Sequence, residues 1–107
     1  MEITERDWKI FRKNIPEWQE RYMERLTTEY IALLQSERTA SGKFWELEKR
    51  IKKDKKCPGV LIDMRRSTAI NNIIRLVLDE VISLDDLDVF SDDLREAVKY
   101  IVEKWGS

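Results

Sequence analysis

Apolar residues recur at three-and-four spacing along Gly59–Ile82. Ile70, Ile73, Ile74, Val77, Leu78 and Val81 fall on one helical face, and Arg65, Thr68, Asn72, Arg75 and Asp79 repeat on the opposite one. Ala69 and Leu76 widen the apolar stripe until it covers most of the circumference. A rod this apolar must be covered from several sides, because bare it would be one large sticky patch. The remaining segments are expected to wrap it.

Those segments also carry helical periodicity. Thr4 is placed to cap a first helix, with Asp7 in the capping-box position and Ile3 and Trp8 as a hydrophobic staple. Trp8, Phe11 and Ile15 mark its face, and Pro16 is expected to end it at a sharp corner. A second helix, Pro16–Gln35, presents Trp18, Tyr22, Leu26, Tyr30 and Leu33, flanked by Met23, Ile31 and Leu34. Ser36–Gly42 reads as a loop, with Ser41 capping a third helix, Gly42–Asp54, along which Phe44, Leu47, Glu48 and Ile51 lie together beside Trp45. Cys57-Pro58-Gly59 is a turn. Ser83 with Asp86 and Ile82 with Leu87 repeat the cap and staple for a short helical turn over 84–88. Ser91 caps the last helix, with Asp92 and Asp93 in its first turn and Leu94, Ala97, Val98, Ile101, Val102 and Trp105 in its stripe.

The fold predicted is all-α: a single domain over 1–107, a compact orthogonal bundle of about five helices around the central apolar one. Composition agrees. With 107 residues, 42% hydrophobic and 38% charged, and with only three glycines and two prolines, helices joined by short turns are favoured over a sheet. The one cysteine, Cys57, allows no internal disulfide and fits a reducing compartment. The opening residues carry no secretory pattern, and no run approaches the ~18 apolar residues of a membrane span. A cytoplasmic protein with no membrane partner is expected.

Candidate chemistry is thin. Histidine is absent, which removes the commonest general base and the usual zinc sites. Cys57 has no histidine to activate it. The aspartates at 85, 86, 88, 92 and 93 lack the alternating oxygens and central glycine of a calcium loop, and capping accounts for them. No catalytic residue, cofactor site or metal site is assigned, and no enzymatic activity is expected.

The sharpest local feature is basic. Six of the eight residues from Lys49 to Lys56 are cationic: Lys49, Arg50, Lys52, Lys53, Lys55 and Lys56. Cations favour a helix C-terminus, so a solvated surface explains them. Folding at Pro58-Gly59 would also bring Lys55 and Lys56 to Arg65 and Arg66 near exposed backbone N–H groups, a candidate anion or nucleic-acid patch. Residues 1–56 carry 14 Lys/Arg against 11 Asp/Glu and residues 57–107 carry 6 against 10, a mild asymmetry between halves.

Four tryptophans are many for this length. Trp8, Trp18, Trp45 and Trp105 lie on or beside apolar stripes, so core packing is expected, with anchoring of a protein interface as the alternative. A non-enzymatic protein acting through contact with a protein partner or a second copy of itself should expose an apolar patch with aromatic anchors. Nucleic-acid or anion binding through the basic region is the alternative function.

PEWQERYMERL, KFWELEKRI, the Pro-Gly turn before MRRS, and LDDLDVFSDDL together resemble a family of short, uncharacterised, all-helical proteins of anaerobic Gram-positive bacteria. The resemblance spans nearly the whole chain and implies no activity, cofactor or catalytic residue. Similar sequences have carried the label "multidrug transporter", which the lack of an apolar span argues against.

Overall fold

Trp8, Phe11, Ile15, Trp18 and Leu26 are buried along one unbroken stripe of a 30-residue helix, α1 (Glu5–Leu34). The expected corner at Pro16 is not formed. Pro16 lies on the exposed side of α1, where water can serve the Arg12 carbonyl that its missing N–H leaves unpaired. A break there would rotate Trp18 away from Phe11 and Phe90, whose ring centroids lie 6.4 and 6.1 Å from its own. Burial of the stripe outweighs the lost hydrogen bond.

The computed structural model describes residues 2–106. After α1 come α2 (Ala40–Asp54), a 3₁₀ turn (Arg66–Thr68), α3 (Ala69–Leu78), a longer 3₁₀ helix (Leu84–Val89) and α4 (Asp92–Trp105). The fold is all-α, with no strand among the described residues. The two helices expected before and after Pro16 are one, and the six-residue 3₁₀ helix brings the count to five.

The central helix is shorter than its apolar pattern implied: 10 residues rather than all of Gly59–Ile82. Ahead of it, Leu61, Asp63 and Arg65 are exposed while Ile62 and Met64 are half-buried. That is the period of two of an extended segment, which a search for three-and-four spacing passes over. The main-chain carbonyl of Asp63 accepts a hydrogen bond from Asn72 Nδ2 at 2.9 Å, which holds the extended piece against α3. Asn72 is therefore buried and satisfied rather than on the wet side.

Beyond Leu78 the backbone N–H groups of Val81 and Ile82 both turn back to the Leu76 carbonyl. This closure needs Glu80 in the left-handed region (φ 59°), at about 1 kcal/mol for a side chain with a Cβ. Arg25 donates to the Glu80 carbonyl and braces the turn. What remains helical is the wrapped rod that was expected. Ile73 and Leu76 are fully buried, and Ile74 and Val77 nearly so.

The caps bear out the sequence patterns with one shift. Thr4 accepts from the Asp7 N–H, and Ser91 from the Leu94 N–H. The Ser83 N–H donates to Asp86 Oδ2 at 2.8 Å, starting the 3₁₀ helix. In the loop after α1, however, Thr39 and not Ser41 caps α2, so that helix begins two residues earlier.

The Cys57–Gly59 turn returns the chain onto α1, with Gln19 Nε2 donating to the Pro58 carbonyl at 3.1 Å. A Cβ on Gly59 would come within 2.4 Å of the Tyr22 ring and 2.8 Å of Val81, so only glycine lets the turn approach this closely.

The core lies toward the first half of α1, closed by α3, the 3₁₀ helix and α4. The last turns of α1 run on beside α2, joined to it by Tyr30–Asp54 and Glu29–Arg50. Because α1 alone is about 45 Å long, the molecule measures 51 × 28 × 20 Å. Its radius of gyration is 16.3 Å, against about 13 Å for a spherical domain of this length.

Candidate functional site

The antiparallel hairpin of α1 and α2 is where residues with binding chemistry collect. Its inner seam is held by Tyr30, whose hydroxyl donates to Asp54, and by Arg50, which pairs with Glu29 at 3.2 Å and lies over the Tyr30 ring at 5.6 Å. Burial and the Asp54 hydrogen bond push the Tyr30 hydroxyl up to about 12 from its ordinary 10. Tyr22, farther down α1, is raised in the same direction by burial and by its hydrogen bond with Cys57.

A phenol that holds its proton more tightly folded than unfolded contributes stability that is whole below pH 10 and drains away as pH rises toward 12. The unfolding midpoint is expected to fall through that window, and Tyr30→Phe to fall less steeply. Equal slopes for the two proteins in urea titrations between pH 9 and 12 would contradict the assignment.

Outside the seam, α2 contributes no buried residue at all. Phe44 and Trp45 are 63% and 62% exposed, packed edge to face on each other with centroids 4.9 Å apart. Ile31 and Leu34, in the last turn of α1, are also exposed, as are Met23 and Ile51. Core packing was expected for all four tryptophans; Trp8 and Trp18 follow it, while Trp45 and Trp105 stand in solvent.

Two shallow cavities of about 240 and 290 Å³ share Ile51 and Lys55, forming one groove along the hairpin. Met23, Leu26 and Tyr30 form the α1 side, and Phe44 and Leu47 the α2 side. The floor is almost wholly apolar, and Lys52 and Lys55 stand on its rim.

The basic residues divide into paired and unpaired ones. Lys49, Lys53, Lys55 and Lys56 are exposed and make no ion pair among the described residues. Lys52 pairs with Glu48 at 3.1 Å and Arg50 with Glu29. Arg65 holds Asp63 at 2.9 Å, and Arg66 holds Glu5 at the start of α1 at 2.8 Å. The two arginines were placed in the early turns of a helix; they stand instead in extended backbone and in a three-residue 3₁₀ turn.

Another cavity, about 520 Å³, lies between α1 and the turn after α3. Its polar lining is already engaged internally: Arg21 with Asp86 at 3.0 Å, Ser83 with the same carboxylate, and Arg25 with the Glu80 carbonyl. Among the described residues, no three or more acidic or cysteine side chains are grouped so as to hold a metal ion. Asp88 and Asp92 both face Arg95. Cys57 is half-buried, its sulfur accepting from the Gly59 N–H at 3.4 Å. No helix among the described residues is long and apolar enough to cross a membrane.

The exposed apolar groove was only partly legible in the sequence. Spacing put Phe44, Leu47 and Ile51 on one face, but whether anything covered that face depended on how far α1 ran beyond the core. Comparison of the chain with family models, curated proteins and solved structures gives no match.

Proposed function

We propose that this protein acts through protein–protein contact, with the α1/α2 hairpin as its docking face. The observation carrying this reading is a 15-residue helix without one buried side chain, displaying Phe44, Trp45 and Ile51 beside an apolar groove. A helix of that length is marginal in water on its own. Phe44 and Trp45 lie bare, and aromatic anchors beside a groove are what interface centres use. Only a partner removes this surface from water.

The alternative, nucleic-acid or anion binding through the basic region, draws less support. Arg50, Lys52, Arg65 and Arg66 each already hold a carboxylate. Lys49, Lys53, Lys55 and Lys56 stay unpaired among the described residues, so a polyanion would meet four free lysines rather than all eight cations.

A photoreactive amino acid at position 44 tests the docking reading in living cells. It should trap a polypeptide, whether another chain or a second copy, while the same group at Lys99 on α4 traps none. Equal capture at both positions would sink the reading, and trapped nucleic acid in place of protein would transfer it to the basic cluster.

A further inference from the structure

Resting on that docking reading, we infer that the occupant of the hairpin face is a second copy of this chain, joined hairpin to hairpin in antiparallel orientation.

Surface area is the first argument. The solvent-accessible surface is 7448 Å², whereas a compact monomer of 12.9 kDa exposes about 6,300 Å². The surplus of about 1,100 Å² exceeds the roughly 800 Å² that each partner gives up in a standard interface. One half of a dimer drawn alone would show such an excess.

Shape is the second. Two amphipathic helices in a hairpin cannot enclose a core, but two such hairpins form a four-helix bundle. Closing each groove with a matching groove brings Phe44, Leu47 and Ile51 of both copies into one apolar layer. An isologous contact of this kind uses the same patch twice and stops at two chains.

Charge sets the direction. Residues 40–48 carry a net −1 and residues 49–56 a net +5. Parallel α2 helices would stack the two lysine-rich ends on each other. Antiparallel ones set Lys49 of one copy beside Glu46 of the other, lay each lysine-rich end against the other copy's acidic half, and align the helix dipoles favourably. Leu47, at the midpoint of α2, then faces its own counterpart, and Phe44 faces Ile51. The whole chain carries only −1, so two copies do not repel strongly.

Sedimentation equilibrium on the full chain from 1 to 100 μM is expected to give twice the 12.9 kDa of one chain. Phe44→Glu combined with Ile51→Glu should return it to a monomer. Orientation is read separately, by single cysteines placed in a Cys57→Ser background. Leu47→Cys should form an intermolecular disulfide under mild oxidation, and Lys55→Cys should not. Efficient linkage at Lys55→Cys would overturn the antiparallel arrangement. A strict monomer across the concentration range would overturn the dimer. If position 44 still traps a different polypeptide, the docking face stands and only its occupant was misassigned; if it traps nothing, both readings fall.

Discussion

Replacing Asp7 by alanine is expected to remove about 4 kcal/mol of folding stability, because two hydrogen bonds to a buried carboxylate, each worth roughly 1.5–3 kcal/mol, vanish together. Asp7 is 1% exposed. Its Oδ1 accepts from the Ser91 backbone N–H at 2.9 Å and its Oδ2 from the Ser91 hydroxyl at 2.6 Å. Ser91 in turn accepts from the Leu94 N–H at the start of α4. One side chain thus ties the first turn of α1 to the first turn of α4, across 84 residues of sequence. Alanine leaves the partly buried Ser91 donors without this partner. Asparagine keeps one acceptor oxygen, so Asp7→Asn should lose about half as much. Urea unfolding measures both. A loss below about 1 kcal/mol for Asp7→Ala would show that this latch does not hold the fold.

Phe11→Ala is the second large effect, expected at roughly 3–5 kcal/mol. Phe11 is fully buried, with ring centroids 6.3 Å from Trp8 and 6.4 Å from Trp18. Trp18 leads on to Phe90, so the four rings form one chain of contacts from α1 to the segment before α4. Removing the second ring opens a cavity that the stiff neighbouring rings cannot fill by small shifts. For a domain whose whole stability is of order 5–15 kcal/mol, this takes a large share. Melting should fall by about 15 °C or more. Leu61→Ala, at a residue 63% exposed, serves as the control and should shift stability by no more than about 0.5 kcal/mol. A Phe11→Ala protein melting within about 5 °C of the parent would contradict the packing described.

Asp7 also shows where sequence reading reaches its edge. Three residues after Thr4, it matches the capping-box pattern, and Thr4 does accept from its N–H at 3.2 Å. Its carboxylate, however, bonds to Ser91. Ser91 was legible as a cap for α4; that the two caps would meet was not, because nothing local links positions 84 apart. The same limit explains Pro16. Its local cost is plain from the chemistry of proline, but the compensating burial of Phe11, Ile15 and Trp18 comes from helices far along the chain. The candidate site fared similarly. The basic residues were evident, yet the carboxylates that hold Arg50 and Arg66 come from Glu29 and Glu5, far along the chain.

What the sequence by itself determined is therefore what nearest-neighbour physics controls. It set the all-α class, the caps at Thr4, Ser83 and Ser91, and the apolar rod of Ile73, Ile74 and Val77 that water will not tolerate. Tertiary structure alone decided that α1 runs through its proline, that α3 starts only at Ala69, and that α2 lies beyond the core with Phe44 and Trp45 bare. The division has one cause. Capping and periodicity act over a turn of helix, whereas covering an apolar face depends on which distant segments reach it, and no short window of residues contains that information.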